Sequence, residues 1–199
     1  ELPDDDPVDL AVDVAAAREV MQAALKAGQE WLDEADAKAV LTAFGIPTVP
    51  TRRVHDAEEA VEAARQLGFP VALKIVSPEI MHKSDVGGVA LDLHLAEDLL
   101  AAVVRMCQRV SRDRPHARVL GFTVQAMVRR PRARELIIGV TSDPVFGPVL
   151  LFGAGGTAVE LLGDRAVGLP PLNAALADGL VTGTRVGRLL AGFRGEAAL

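Results

Sequence analysis

Val71-Ala72-Leu73-Lys74-Ile75-Val76-Ser77-Pro78-Glu79-Ile80-Met81-His82-Lys83-Ser84-Asp85-Val86-Gly87-Gly88-Val89 is the stretch around which the chain is read. It opens as an apolar strand interrupted by Lys74. Pro78 ends that strand, and a polar loop carries His82, Lys83, Ser84 and Asp85. Gly87 and Gly88 lead into a second apolar run, Val89-Ala90-Leu91. A lysine in a buried-looking strand needs a partner, because an unpaired buried ammonium is expensive. That partner is either a carboxylate or an anionic ligand such as phosphate, which the glycines would let backbone N–H groups approach. The spacing matches neither a Walker A loop nor a dinucleotide-binding fingerprint.

Working outward, the 199 residues suffice for one sizeable domain or two small ones. Hydrophobic residues make up 50% and charged residues 24%, the balance of an ordinary globular protein. A net charge of −6 gives no electrostatic case for nucleic acid or a membrane surface. No apolar run has transmembrane length, and no signal-peptide pattern occurs. Cys107 is the one cysteine, which excludes an intrachain disulfide and predicts a reducing, cytoplasmic setting. It falls in an apolar helical stretch, as an inert buried thiol does. The absence of tyrosine argues against a base-stacking surface. Because the chain starts at Glu1 rather than Met, it is expected to be part of something longer.

Residues 1–9 are acidic and proline-bearing and read as a linker. Leu10, Val14, Met21 and Leu25 recur at helical spacing until Gly28. A second helix starts at the N-cap Asp33, carries Ala37, Val40, Leu41 and Phe44 on one face, and ends at Gly45 and Pro47. Thr48–Val54 reads as a strand. Asp56 with Glu59 opens a helix that runs through Leu67 to Gly68 and Pro70. Residues 89–94 form a strand and 96–110 a helix with Leu99, Leu100, Val103, Cys107 and Val110 inward, followed by a charged turn at Arg112-Asp113-Arg114-Pro115. Residues 119–128 alternate, placing Phe122, Val124, Ala126 and Val128 on one face. Strands at 135–141 and 148–152 pair around Ser142-Asp143-Pro144, and helices follow at 173–182 and 184–191. The order predicts an α/β (α+β) protein in two lobes. The division expected is a linker and helix over 1–32, an N-terminal lobe over 33–118 and a C-terminal lobe over 119–199.

Five motifs occur in one order: Val71-Ala72-Leu73-Lys74; His82-Lys83-Ser84-Asp85-Val86-Gly87-Gly88-Val89; Gly121 to Val128; Glu135-Leu136-Ile137-Ile138-Gly139-Val140 with Asp143-Pro144 and Phe146-Gly147-Pro148; and Phe152-Gly153-Ala154-Gly155-Gly156-Thr157-Ala158-Val159-Glu160. Together they resemble the ATP-grasp domain of ADP-forming (NDP-forming) acyl-CoA synthetases, over residues 33–195. Gly163-Asp164-Arg165-Ala166-Val167 and Leu169-Pro170-Pro171-Leu172-Asn173 resemble the forms fused to a GNAT-type protein lysine acetyltransferase.

The resemblance implies an ATP-grasp fold with a nucleotide cleft between two lobes, and roles for particular residues. Lys74 would contact the α- and β-phosphates of ATP, while Lys83 neutralises transferred charge together with Mg²⁺. Gly87 and Gly88 would belong to a loop over the phosphates. The backbone of Gln125, Met127 and Val128 would meet adenine, and Glu135 would lie near the ribose and phosphates. Glu160 would lie near the metal or the phosphoryl-transfer site. His82 would pass a phosphoryl group between distant sites, chemistry open to a neutral imidazole near pH 7.

The resemblance also implies ATP/ADP and Mg²⁺ as cofactors, CoA held by a companion CoA-binding/ligase domain, and a GNAT domain as a further partner. The family's later Glu/Asp-x-Asn-Pro-Leu strand, a source of magnesium ligands, has no counterpart here. Weak nucleotide binding, no phosphoryl transfer by the chain alone and an open sheet edge inviting homo-oligomers are therefore expected. The alternative function is a regulatory module of a protein acetyltransferase that senses nucleotide or CoA without turnover.

Plainer readings stand beside these. Lys74 can be a salt-bridged strand residue and His82 an ordinary loop histidine. Glu135 can pair with nearby arginines, and the glycines at 153, 155 and 156 can serve a tight turn. His55, His94 and His116 show no ligand spacing. Arg129, Arg130, Arg132 and Arg134 read as a solvated hairpin tip, or as a contact for CoA or a partner domain.

Overall fold

The computed structural model describes residues 12–29, 32–80, 82–130, 133–156, 161, 163–192 and 198. The chain divides into two compact units, with the change of unit between Arg129 and Arg130.

The first unit contains α1 (Val14–Lys26), α2 (Glu34–Ala43), β1 (Thr51–Val54), α3 (Ala57–Leu67), β2 (Val71–Val76), a 3-10 turn at Lys83–Val86, β3 (Val89–Leu93), α4 (Ala96–Asp113) and β4 (Gly121–Ala126). Local chemistry sets the helix starts. Asp33 accepts from the N–H groups of Ala35 and Asp36 at 2.9 and 3.0 Å. Asp56 accepts from Glu59 N at 2.8 Å, and the Glu59 carboxylate reaches back to His55 N at 2.8 Å.

The strands form an antiparallel sheet in the order β1-β4-β2-β3. β4 lies between two strands that precede it in sequence. On one face the register aligns Val54, Phe122 and Ile75, and beside them Val124 and Leu73. These side chains meet Ala60 and Ala64 of α3 and Leu99, Ala102, Val103, Met106 and Val110 of α4 in a continuous apolar core. The other face is polar: Arg53, Thr123 and Lys74 align across it, next to Thr51 and Gln125. A register irregularity between β2 and β3 leaves Asp92 at φ 55, where it pairs with Arg129 at 2.5 Å.

The second unit contains β5 (Leu136–Asp143), β6 (Gly147–Ala154), β7 (Arg165–Gly168), α5 (Ala174–Thr182) and α6 (Arg185–Leu190). Its three strands form a sequential antiparallel meander. Asp143 shapes the first turn by accepting from Val145 N and Phe146 N at 2.8 and 3.0 Å, ahead of Gly147 at φ 74. Asp164 accepts from Arg185 N and Val186 N, both at 2.8 Å, which satisfies two free donors at the start of α6.

Several expectations need correction. Leu100 is exposed, and Ala102 and Met106 occupy the inward positions instead, because the stripe follows Leu99, Ala102, Val103, Met106 and Val110. α4 continues through Asp113, so Arg112 belongs to its last turn rather than to a loop. β4 stops at Ala126 and leaves Val128 exposed. β7 was not anticipated. The expected lobe boundary at 118/119 lies ahead of β4, whereas the unit changes after Arg129, because β4 hydrogen-bonds to β1 and β2. Among the described residues no helix is long and apolar enough to cross a membrane.

Candidate functional site

An open depression of about 450 Å³ in the first unit is lined by Glu34, Lys74, His82, Lys83, Ser84, Asp85 and Val89. Three elements supply it. β2 presents Lys74 from the polar face of the sheet, the 3-10 turn presents the loop residues, and α2 presents Glu34. The loop is held close to β2 because Ile75 N donates to Gly88 O at 2.9 Å and Gly88 N donates to Lys83 O at 2.7 Å. Gly88 is buried there, and a Cβ on it would lie 2.6 Å from Ile75 Cγ2. Gly87 closes the turn in the left-handed region at φ 64. Both glycines thus have a backbone reason to be present, and they place His82 and Lys83 beside Lys74.

Lys74 has a carboxylate partner. Its Nζ donates to Glu34 Oε1 at 2.7 Å, and Lys38 Nζ lies 3.0 Å from the same oxygen. Lys38 also donates to Thr51 Oγ1 at 2.7 Å and Gln125 Oε1 at 2.8 Å. Burial pushes the Glu34 carboxyl up, but hydrogen bonds from Lys74 and Lys38 outweigh that and hold it below the ordinary carboxylate value. Two residues along α2, Asp36 pairs with Arg53 at 2.9 Å, and Arg53 also contacts Asp33. The helix therefore lies over the polar sheet face through ion pairs rather than apolar packing.

The structure brings Lys74, His82 and Lys83 to one depression. Gln125, Met127 and Val128 do not line the depression. The Gln125 side chain is engaged by Lys38, and Met127 N already donates to Pro70 O at 3.0 Å. Glu135 belongs to the second unit, where its carbonyl accepts from Gly155 N at 2.7 Å. A Cβ on Gly155 would lie 2.8 Å from the Glu135 carbonyl carbon, and one on Gly153 would lie 2.3 Å from Asp164 O. These glycines therefore allow neighbouring backbone segments to pass closely. A second depression of about 290 Å³ is lined by Ile137, Leu151, Gly153, Ala154, Gly163, Asp164 and Arg165.

Glu160, the predicted metal ligand, lies outside the described residues, as does Arg132. Among the described residues no three His, Cys, Asp or Glu side chains converge as a resident cation requires. Of the two carboxylates lining the first depression, Glu34 is already shared by two lysines.

Glu34 and Lys38 were missed as site residues. Their signal was a Glu and a Lys at i, i+4 in the first turns of a helix, a pattern that local pairing explains equally well.

Residues 23–199 match the model of an ATP-grasp domain family. The chain is 38% identical over 183 residues to the beta subunit of acetate–CoA ligase [ADP-forming] I of Pyrococcus furiosus, covering 92% of this chain and 78% of that one. It is 38% identical over 189 residues to acetate–CoA ligase [ADP-forming] I of Archaeoglobus fulgidus, covering 95% of this chain but 27% of that protein. The chain thus spans about a quarter of that longer relative. Among solved structures it superimposes with a TM-score of 0.84 and 39% identity on the Candidatus Korarchaeum cryptofilum dinucleotide forming acetyl-coenzyme A synthetase 1, in complex with coenzyme A, Ca-AMPCP and HgCl⁺, over 92% of this chain and 79% of that one. A second complex of that synthetase, with coenzyme A and Mg-AMPPCP, has its phosphohistidine segment pointing towards the nucleotide binding site; its TM-score is 0.74 at 37% identity, covering 92% of this chain and 78% of that one.

Proposed function

Because the chain belongs to the ATP-grasp domain family, we propose that it is the nucleotide-binding part of an ADP-forming acyl-CoA synthetase. The overall reaction joins a carboxylic acid and CoA while ATP becomes ADP and phosphate, or runs in reverse. The observation that carries this reading is the convergence of Lys74, His82 and Lys83 on one depression of a chain with ATP-grasp architecture.

In this reading Lys74 and Lys83 take the phosphate oxygens of Mg·ATP and offset their charge. An imidazole nitrogen attacks the γ-phosphorus, the bond to the bridging oxygen breaks, and the electron pair leaves with ADP. The imidazole of His82 serves as a relay for the phosphoryl group, and a neutral imidazole suits both acceptance and release. Magnesium bound to the nucleotide would share in this charge neutralisation beside Lys74 and Lys83. CoA and the first phosphohistidine belong to a companion ligase domain; in support, one relative is named as a beta subunit and another carries coenzyme A and a phosphohistidine segment. The finer kinship, to forms fused with a GNAT-type acetyltransferase, rests on the sequence resemblance of the five motifs and of residues 163–173.

Calorimetric titration of Mg·ATP into the chain and its Lys74→Ala variant tests the reading. Binding in the wild type that falls at least tenfold in the variant is the expected result. No heat at millimolar Mg·ATP with folded protein would overturn it in favour of a module that does not turn over nucleotide.

A further inference from the structure

Lys74 and Lys38 share one carboxylate oxygen but differ in how firmly they are held. Lys38 has three donors and three acceptors, Glu34 Oε1, Thr51 Oγ1 and Gln125 Oε1, all within 3.0 Å. A ligand has no donor left to take from it. Lys74, in contrast, has Glu34 as its one hydrogen-bonded partner among the described residues. Its side chain is 22% exposed, at a depression that also holds His82 and Lys83. The carboxylate therefore takes one of the three Lys74 donors and sets a negative charge beside the two that an incoming anion would use.

We propose that Glu34 is a specificity-determining residue, an internal competitor that sets the affinity an anion must reach to engage Lys74. The inference rests on the nucleotide-binding reading and deepens it. A carboxylate tethered on α2 competes at a high effective concentration, because its ordering was completed when the helix docked. A lone phosphate that reaches only Lys74 meets the charge of that carboxylate without compensation. A polyphosphate that spans Lys74 and Lys83 gains a second charge-assisted contact and overcomes the competitor. Glu34 thus keeps single-phosphate anions out while admitting a nucleotide polyphosphate.

Replacing Glu34 by Gln retains side-chain shape and an acceptor while removing the charge. α2 stays tethered through Lys38 to Thr51 and Gln125 and through Arg53 to Asp33 and Asp36, so the variant is expected to fold. Asp36→Asn makes the same charge change on the same helix away from Lys74. Calorimetric titrations with Mg·ATP and with inorganic phosphate would compare wild type, Glu34→Gln, Asp36→Asn and Glu34→Gln/Lys74→Ala, with thermal melts confirming folding.

The expected result is about tenfold tighter Mg·ATP binding in Glu34→Gln, the scale of one removed charge near a half-buried ammonium. Inorganic phosphate becomes measurable in that variant. Asp36→Asn stays within twofold of wild type, and the double variant loses the gain. Unchanged or weaker binding in folded Glu34→Gln, with wild type still binding through Lys74, overturns the proposal but leaves the nucleotide reading standing. Equal tightening in Asp36→Asn overturns it in favour of bulk charge. No binding in any folded protein overturns both.

Discussion

Lys74 shows what a single residue discloses before the fold is known. Its position in an apolar strand demanded compensation, and the two forms considered were a carboxylate and an anion. The carboxylate is Glu34, forty residues earlier, so it could not be found by local spacing. The closeness of the His82–Lys83 loop to β2, by contrast, follows from two glycines that stand close by in sequence. Another nonlocal pair, Glu79 and Arg118, makes a pH prediction. The Arg118 guanidinium, at 2.9 Å, with help from Arg118 N and Ser77, lowers the Glu79 carboxyl to about 2 from the usual 4.5. A depressed folded-state value means the contribution is complete above the unfolded value and is lost as pH falls through the folded one. Stability should therefore decline between about pH 4.5 and 2. Arg118→Ala, which removes the contact, should begin acid unfolding at a higher pH than wild type when followed by circular dichroism. An unchanged acid transition would show that this exposed pair contributes nothing.

Elements were read well where their ends carry chemistry. Asp33, Asp56 and Asn173 each cap a helix that the sequence places within a few residues of its observed start. Asp56→Ala removes an acceptor from the first turn of α3 and should lower stability by about 1 kcal/mol, measured by urea unfolding; a change within error would mean that water replaces the cap without cost. Legibility failed where tertiary context decides. β7 has four residues, among them Arg165 and Gly168, and becomes a strand because β6 offers it a partner edge. Leu100 sits beside a buried stripe whose exact rotation is set by packing on β2 and β3. α2 is the clearest case. Its apolar positions suggested a buried face, yet it has no fully buried residue, and ion pairs hold it on the sheet.

At the scale of the whole molecule, the ATP-grasp architecture was legible from five ordered motifs, but the change of unit was not. The expected division cut the chain just ahead of a strand that completes the first sheet. The order β1-β4-β2-β3 has a further consequence for how the chain acquires its shape. While a ribosome is still adding residues before Gly121, β1 has no neighbour with which to exchange hydrogen bonds, and only β2 and β3 can zip together. The apolar face of Val71–Val76 must wait through the whole of α4 for its central strand, an interval in which it is open to wrong partners. The meander β5-β6-β7, by contrast, pairs each strand with the one just made. A chain released at Arg118 should therefore bind chaperone and exchange its β1 amides freely, whereas one released at Arg130 should protect them in hydrogen exchange. Equal protection in both would mean that α3 and α4 organise β1 without its partner. The yield of folded protein should therefore depend on how soon β4 follows β2 and β3.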